Sequence, residues 1–186
     1  MKWLSHRVLR ARGWSFRGEI PDIPKMVIIG APHTSNWDFI LFLAALHHFE
    51  VRVHYLAKHT LFRWPFGYLF RALGGIAVDR SRPGGIVRQV KEVFDSEERM
   101  ILVVAPEGTR KAAPKWKSGF IEIAEHTGVP VVLAGVDYSS RVLTLGPTVE
   151  VGPDRTAFMD RVRVFYSDKE GLHRDQKGPI RLTRDG

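Results

Sequence analysis

This sequence predicts an α/β fold, a single domain built on a central, mostly parallel mixed sheet flanked by helices, on three observations. A short apolar, β-branched run at residues 26–30 has the length and composition of a strand buried on both faces, and residues 76–80, 100–105 and 129–136 read as further short strands. The segments between them carry helix signals. Polar clusters follow the apolar runs directly, where open α/β sheets gather their ligand-binding residues.

Residues 1–18 contain Lys2, Arg7, Arg10, Arg12 and Arg17 and no acidic residue, interleaved with Trp3, Leu4, Val8, Leu9 and Trp14. Two readings fit this basic amphipathic segment. One is a helix in a bilayer interface, each cation worth about 1 kcal/mol against anionic lipid; the other is a helix covering one side of the domain. A turn-like stretch at 19–24 leads into the strand at 26–30. Residues 38–49 read as a helix, 51–58 as an alternating strand, and 61–73 as an aromatic-rich, partly helical stretch containing Pro65 and Gly67. Gly74 and Gly75 turn the chain into the strand at 76–80. A helix over 85–94, a strand over 100–105, a helix over 119–127 ended by Gly128, and the strand at 129–136 continue the alternation. Residues 141–151 suggest one or two further strands, and Asp154 caps a helix through about residue 166. The domain proper is then 19–166, with 167–186 a polar, loosely held tail.

Composition limits the function classes. With 44% hydrophobic and 26% charged residues in a chain of 186, one folded domain is expected rather than disorder. No cysteine is present, which excludes disulfides, thiolate zinc sites and cysteine nucleophiles. Twenty-eight Lys and Arg against 20 Asp and Glu give +8, which favours an anionic partner: nucleic acid, a phospholipid surface or a phosphorylated substrate. The longest apolar run, residues 39–46, falls far short of the roughly 20 needed to cross a bilayer. With no secretory signal recognised, the expected location is cytoplasmic.

Chemistry concentrates in three strand-to-loop segments. In Gly30-Ala-Pro-His-Thr-Ser-Asn-Trp-Asp38, His33 and Asp38 are five residues apart, about 140° around an ideal helix. They meet only if His33 lies in the loop and Asp38 in the first turn of the helix, capped by Thr34 or Ser35. A carboxylate accepting from one ring N–H fixes the tautomer and raises the basicity of the other nitrogen, as a general base for a hydroxyl requires. A structural alternative stands beside this: Ser35-Asn-Trp-Asp38 resembles a capping box, in which Asp38 satisfies backbone donors. In Val103-Val-Ala-Pro-Glu-Gly-Thr-Arg110, a strand enters a turn presenting Glu107, Thr109 and Arg110 around Gly108, a composition suited to phosphate and equally to an ordinary turn. In Gly74-Gly-Ile-Ala-Val-Asp-Arg-Ser81, a strand leads into Asp79 and Arg80.

In this order the segments resemble the signature of the lysophospholipid and glycerolipid acyltransferases. The HxxxxD block is His33 to Asp38, Gly-Gly-Ile-x-Val-Asp-Arg is Gly74 to Arg80, Glu-Gly-Thr-Arg is Glu107 to Arg110, and a Val-Pro-Val strand is Val129 to Val131. Lys58, Leu61, Phe62, Pro65 and Gly67 are similar to the family's link between the first two blocks, and Lys117 with Gly119 to its step after the third. The resemblance covers residues 26–138.

It implies a glycerolipid-acyltransferase-like fold and transfer of a fatty acyl group from acyl-CoA or acyl-carrier protein to a hydroxyl of a lysophospholipid-type acceptor, without an acyl-enzyme. His33 would be the general base and Asp38 its orienting partner. Glu107, Gly108, Thr109 and Arg110, with Arg80, would hold the acceptor phosphate or headgroup. An acyl chain needs an apolar groove, and the aromatic stretch with Phe62, Trp64 and Phe66 either lines it, contacts lipid or is simply core. No cofactor or metal is expected, and peripheral contact with the inner face of an anionic membrane is. Two departures are a shorter segment before His33 than in many members and a shorter stretch, Lys111 to Lys117, after Arg110. A non-catalytic lipid-binding protein of the same fold is the alternative. A basic nucleic-acid-binding module is a further one, but it leaves HxxxxD without a role and no nucleic-acid partner is expected.

Overall fold

The computed structural model describes residues 12–78 and 85–183. Among these, seven strands form one sheet: β1 (Ser15–Arg17), β2 (Lys25–Ala31), β3 (His54–Lys58), β4 (Gly75–Val78), β5 (Met100–Val104), β6 (Val131–Asp137) and β7 (Val142–Val149). Their order is β1-β7-β6-β2-β5-β3-β4. Strands β2 to β6 run parallel, β7 returns antiparallel to β6, and β1 lies parallel to β7. The helices are α1 (Trp37–Phe49), α2 (Gly67–Ala72), α3 (Gly85–Ser96), α4 (Gly119–Thr127) and α5 (Arg155–Tyr166). None of the described helices is long and apolar enough to cross a membrane.

The apolar runs form strands because both of their faces are covered. Along β2, Val27, Ile29 and Ala31 pack into a core with Val90 and Phe94 of α3, Phe120 and Ile121 of α4, and Phe158, Val162 and Tyr166 of α5. Met26 and Ile28, pointing the other way, pack with Phe42, Leu46 and Phe49 of α1. Two helix ends follow the sequence signals, whereas the N-cap position of α1 is Asn36 and not Thr34 or Ser35. The Asp154 carboxylate accepts from the Thr156 and Ala157 amides at 2.9 and 3.1 Å, and Gly128 closes α4 in the left-handed region at φ +66°.

Two expectations are corrected and one is narrowed. Residues 15–17 are a strand, with Ser15 paired to Val142, so the helical reading of 1–18 does not extend to them; residues 1–11 lie outside the described set. Residues 141–151 supply one strand, β7. The segment after 166 is not loosely held over its described part: Leu182 is buried, the Trp116 amide donates to the Arg181 carbonyl at 2.6 Å and the Thr183 amide to the Trp116 carbonyl at 2.9 Å. Lys177 Nζ also donates to the carbonyls of Tyr166 and Lys169 at 3.2 and 2.6 Å, serving the carboxyl end of α5. Its polar side chains bind backbone groups, so a polar composition did not mean a detached tail.

Tyr166 fastens α5 to the sheet, its hydroxyl lying 2.7 Å from the Ile29 carbonyl and 3.0 Å from that of Ala134. The ring is 1% exposed, so water does not replace a lost bond there. Tyr166→Phe is expected to lower stability by about 1–2 kcal/mol, read as an earlier urea midpoint with an unchanged slope.

Candidate active site

The sheet order brings the site together. Strand β2 lies between β5 and β6, so the loops leaving the carboxyl ends of these three parallel strands meet on one edge. Strand β2 delivers His33, β5 delivers Glu107 to Arg110, and β6 delivers Tyr138. Strand β4 is three places from β2, about 14 Å at the usual strand spacing. Arg80, which follows it, lies outside the described residues.

His33 sits in the loop before α1, and its Nδ1 is 3.1 Å from Asp38 Oδ2. The same oxygen accepts the Thr34 and Ser35 amides, each at 2.8 Å, while Oδ1 accepts the Tyr138 hydroxyl at 2.7 Å. Asp38 therefore fills both roles left open by its spacing, serving the amides that lead into the helix and orienting the imidazole. Burial alone pushes its carboxyl pKa up, but hydrogen bonds from His33, Tyr138, Ser35 and Thr34 outweigh this and hold it below the usual 3.8. An ionised carboxylate only accepts, so the hydrogen between the two groups belongs to Nδ1, leaving Nε2 of the neutral ring with a lone pair. The imidazole is 28% exposed while the Asp38 side chain is 8% exposed, so the ring is reachable and its partner is shielded.

Glu107 is buried and accepts the His33 amide on Oε1 at 3.0 Å. It thus fixes the backbone of the histidine. Its Oε2 is buried without a hydrogen-bond partner, and burial pushes the carboxyl pKa up despite bonds to its own amide and that of His33. Gly108 holds φ +65°, and a Cβ there would lie 2.8 Å from Lys117 Cε and 3.0 Å from Lys117 Nζ. The glycine permits the turn, and the turn lies under the lysine stem. Thr109 and Arg110 are exposed, with Thr109 Oγ1 accepting the Lys111 amide at 3.3 Å.

Arg110 shares a cleft of about 460 Å³ with Thr34, Ser35, Asn36, Trp37, Leu172, His173 and Gln176. The last three come from the segment after α5, which sequence reading left apart from the site. That segment is tied down by the His173 amide on Thr34 Oγ1 at 3.3 Å, and by the Gln176 amide group on the Thr34 and Arg110 carbonyls in its better-satisfied orientation. A second cleft, of about 500 Å³ and lined by Lys115, Arg163, Ile180, Arg181 and Leu182, contains neither His33 nor Arg110.

The three aromatics of the candidate acyl groove separate. Phe62 is buried, its ring 6.0 Å from that of Phe70, and is a core residue. Trp64 and Phe66 are 86% and 63% exposed. Sequence reading missed Tyr138, which lies 100 residues from Asp38 with no local motif around it, and the roles of Lys117, His173 and Gln176.

Fold and site together define a class: an open α/β sheet carrying an HxxxxD pair and a Glu-Gly-Thr-Arg turn side by side on its carboxyl edge. The chain belongs to the acyltransferase family, whose model, described as Acyltransferase, matches residues 17–136. It is similar to the 1-acyl-sn-glycerol-3-phosphate acyltransferase of Cocos nucifera, 34% identical over an alignment of 83 residues that covers 41% of this chain and 27% of that one. The protein of the same name from Pseudomonas aeruginosa is 29% identical over 137 residues, 70% of this chain and 51% of its own length. The chain thus spans between 27% and 51% of these two curated relatives. In fold it is similar to the crystal structure of the 1-acyl-sn-glycerophosphate acyltransferase PlsC from Thermotoga maritima, with a TM-score of 0.62 at 19% identity, over 88% of this chain and 74% of that one.

Asp38→Asn removes the negative charge that four donors share, and its NH2 faces either the Tyr138 hydroxyl, which can turn to accept, or the loop amides and the His33 ring N–H, which cannot. A loss of about 2–3 kcal/mol in stability is expected, measured by urea unfolding at pH 7. Because the Asp38 pKa is lowered on folding, its contribution is complete above the usual 3.8 and is lost as pH falls through the lower folded value. The Asn variant is expected to lack that part of the acid decline.

Proposed function

We propose that the chain transfers a fatty acyl group from a thioester donor, acyl-CoA or acyl-carrier protein, to a hydroxyl of a lysophosphatidic-acid-type acceptor. The observation that carries this reading is the contact between His33 Nδ1 and the ionised Asp38 carboxylate. Membership of the acyltransferase family and the printed names of the relatives support the same reaction class.

In this mechanism Nε2 of His33 takes the acceptor hydroxyl proton as its oxygen attacks the thioester carbonyl. Asp38 stabilises the imidazolium that forms. The tetrahedral intermediate then collapses, the C–S bond breaks, and the departing sulfur receives the proton from His33, giving an ester and a free thiol. With no cysteine and no GxSxG elbow in the chain, direct attack is the simplest route. Arg110 supplies a guanidinium fork for the acceptor phosphate, and the Lys117 ammonium beside Gly108 adds a second positive charge. Glu107 acts through the His33 backbone.

The acceptor and an acyl donor's chain are both lipidic, and the exposed apolar side chains suit an interface. Trp64, Phe66, Tyr68 and Leu69 are exposed at the start of α2 and just before it, with Arg63 and Arg71 close in sequence. Aromatic side chains with basic neighbours favour headgroup depth at an anionic surface. The protein on this reading binds the cytoplasmic face of the membrane peripherally.

Thiol release from palmitoyl-CoA with a panel of lysophospholipids is expected to depend on the acceptor and yield a diacyl product by mass spectrometry. His33→Ala should remove at least about 99% of turnover, the scale on which general bases contribute. Arg110→Ala should mainly raise the acceptor KM. Acceptor-dependent turnover surviving in His33→Ala contradicts the mechanism. In vesicle co-sedimentation, the double variant Trp64→Ala, Phe66→Ala should bind anionic vesicles more weakly than wild type, and high salt should weaken both.

A further inference from the structure

We propose that Tyr138 is a positioning residue for the His33–Asp38 pair, holding Asp38 by Oδ1 so that Oδ2 stays aligned with His33 Nδ1. The inference rests on the His33 base reading above and adds a third member to that pair. Tyr138 lies beyond residues 17–136, where the family model matches, and no sequence motif marks it.

The geometry leaves the two carboxylate oxygens with separate duties. Oδ2 carries the imidazole and two amides from its own loop, whereas Oδ1 receives the Tyr138 hydroxyl at 2.7 Å from a different strand. Rotation about the bond that joins the carboxylate to Cβ would carry Oδ2 off its three donors, and a donor on Oδ1 resists the same rotation from the other side of the group, anchored in a different strand. The carboxylate plane is thus held at both oxygens. Orientation is what matters here, because a hydrogen bond weakens steeply as its angle departs from linear.

Tyr138 is itself held on several sides. Its ring packs edge-on against Trp14, with centroids 5.1 Å apart and planes at 88°. Its amide donates to the Glu170 carbonyl at 2.9 Å, and the preceding residue, Asp137, accepts the Glu170 amide at 3.1 Å and the Ser139 amide at 3.1 Å. The tyrosine thus enters the site from β6 with its backbone pinned to the segment after α5. Burial, then the bond to Asp38 and its charge, push the Tyr138 hydroxyl pKa up, so the group remains a donor throughout the working pH range. No reacting atom needs to touch it, so its effect passes through Asp38.

Tyr138→Phe removes the donor and keeps the ring. The test compares steady-state kinetics of wild type, Tyr138→Phe and His33→Ala with the same thioester and acceptor. The expected result is a kcat about tenfold lower in Tyr138→Phe, the equivalent of one charge-assisted hydrogen bond weakened in the transition state. Both KM values should stay within about twofold, because on this proposal the hydroxyl acts through Asp38 and not on either substrate. A thermal midpoint close to that of wild type separates this from loss of fold. Should Tyr138→Phe fail to fold, 3-fluorotyrosine at position 138 keeps the ring and changes donor strength, and kcat should change with KM constant. An inactive His33→Ala beside an unchanged kcat at position 138 overturns the Tyr138 role alone. Turnover in His33→Ala overturns the base reading and the inference with it.

Discussion

The Asp38 carboxylate is the group on which the site depends. It is largely shielded from water, and an isolated charge in that position would be costly. Four donors make it tolerable: the His33 ring, the Thr34 and Ser35 amides and the Tyr138 hydroxyl. Their combined effect keeps it ionised. Two consequences follow from that one charge. The loop between β2 and α1 is drawn into a single conformation, and the hydrogen on the His33 ring is assigned to the nitrogen that faces the carboxylate. The fold and the proton chemistry therefore share an electrostatic origin.

The sheet supplies the frame for that charge. Because β2 lies between β5 and β6, each of the three loops needs to reach across only one strand spacing. Strands β5 and β6 bring Glu107 and Tyr138 to opposite sides of the loop that β2 delivers, one acting on the His33 backbone and the other on Asp38. The segment after α5 adds a third support through Thr34 and the backbone of Arg110. Supports from separate rigid elements keep catalytic atoms within the narrow tolerance that proton transfer needs. Arg110 and Lys117, proposed above to hold the acceptor phosphate, are by contrast exposed on long side chains that can follow a charged ligand.

Much of this was legible in the sequence. The β-branched run at 26–30 gave β2, Gly128 ended α4, and Asp154 capped α5, because each of these signals acts through neighbours a few residues away. The spacing of His33 and Asp38 correctly required a loop histidine and a first-turn aspartate. Contacts made across the chain left no such trace. Tyr138 looks like an ordinary strand-end tyrosine until β6 is placed beside β2. The segment after 166 reads as polar because Lys177 and Gln176 bind carbonyls, and a composition count treats a bonded polar group and a solvated one alike. Short strands such as Ser15–Arg17 depend on a partner strand rather than on their own pattern. Phe62 and its exposed neighbours Trp64 and Phe66 share a composition but not an environment, and only the packing separates them.

The proposed mechanism requires Asp38 to hold the neutral His33 ring with its hydrogen on Nδ1, leaving Nε2 as the proton acceptor. Long-range 1H–15N NMR correlation of the His33 ring, in protein labelled with 15N-histidine and assigned with the His33→Ala variant, measures this directly. At a pH where the ring is neutral, a protonated Nδ1 and an unprotonated Nε2 are expected. A neutral ring carrying its hydrogen on Nε2 would contradict the mechanism, since the nitrogen meant to accept the hydroxyl proton would already hold one.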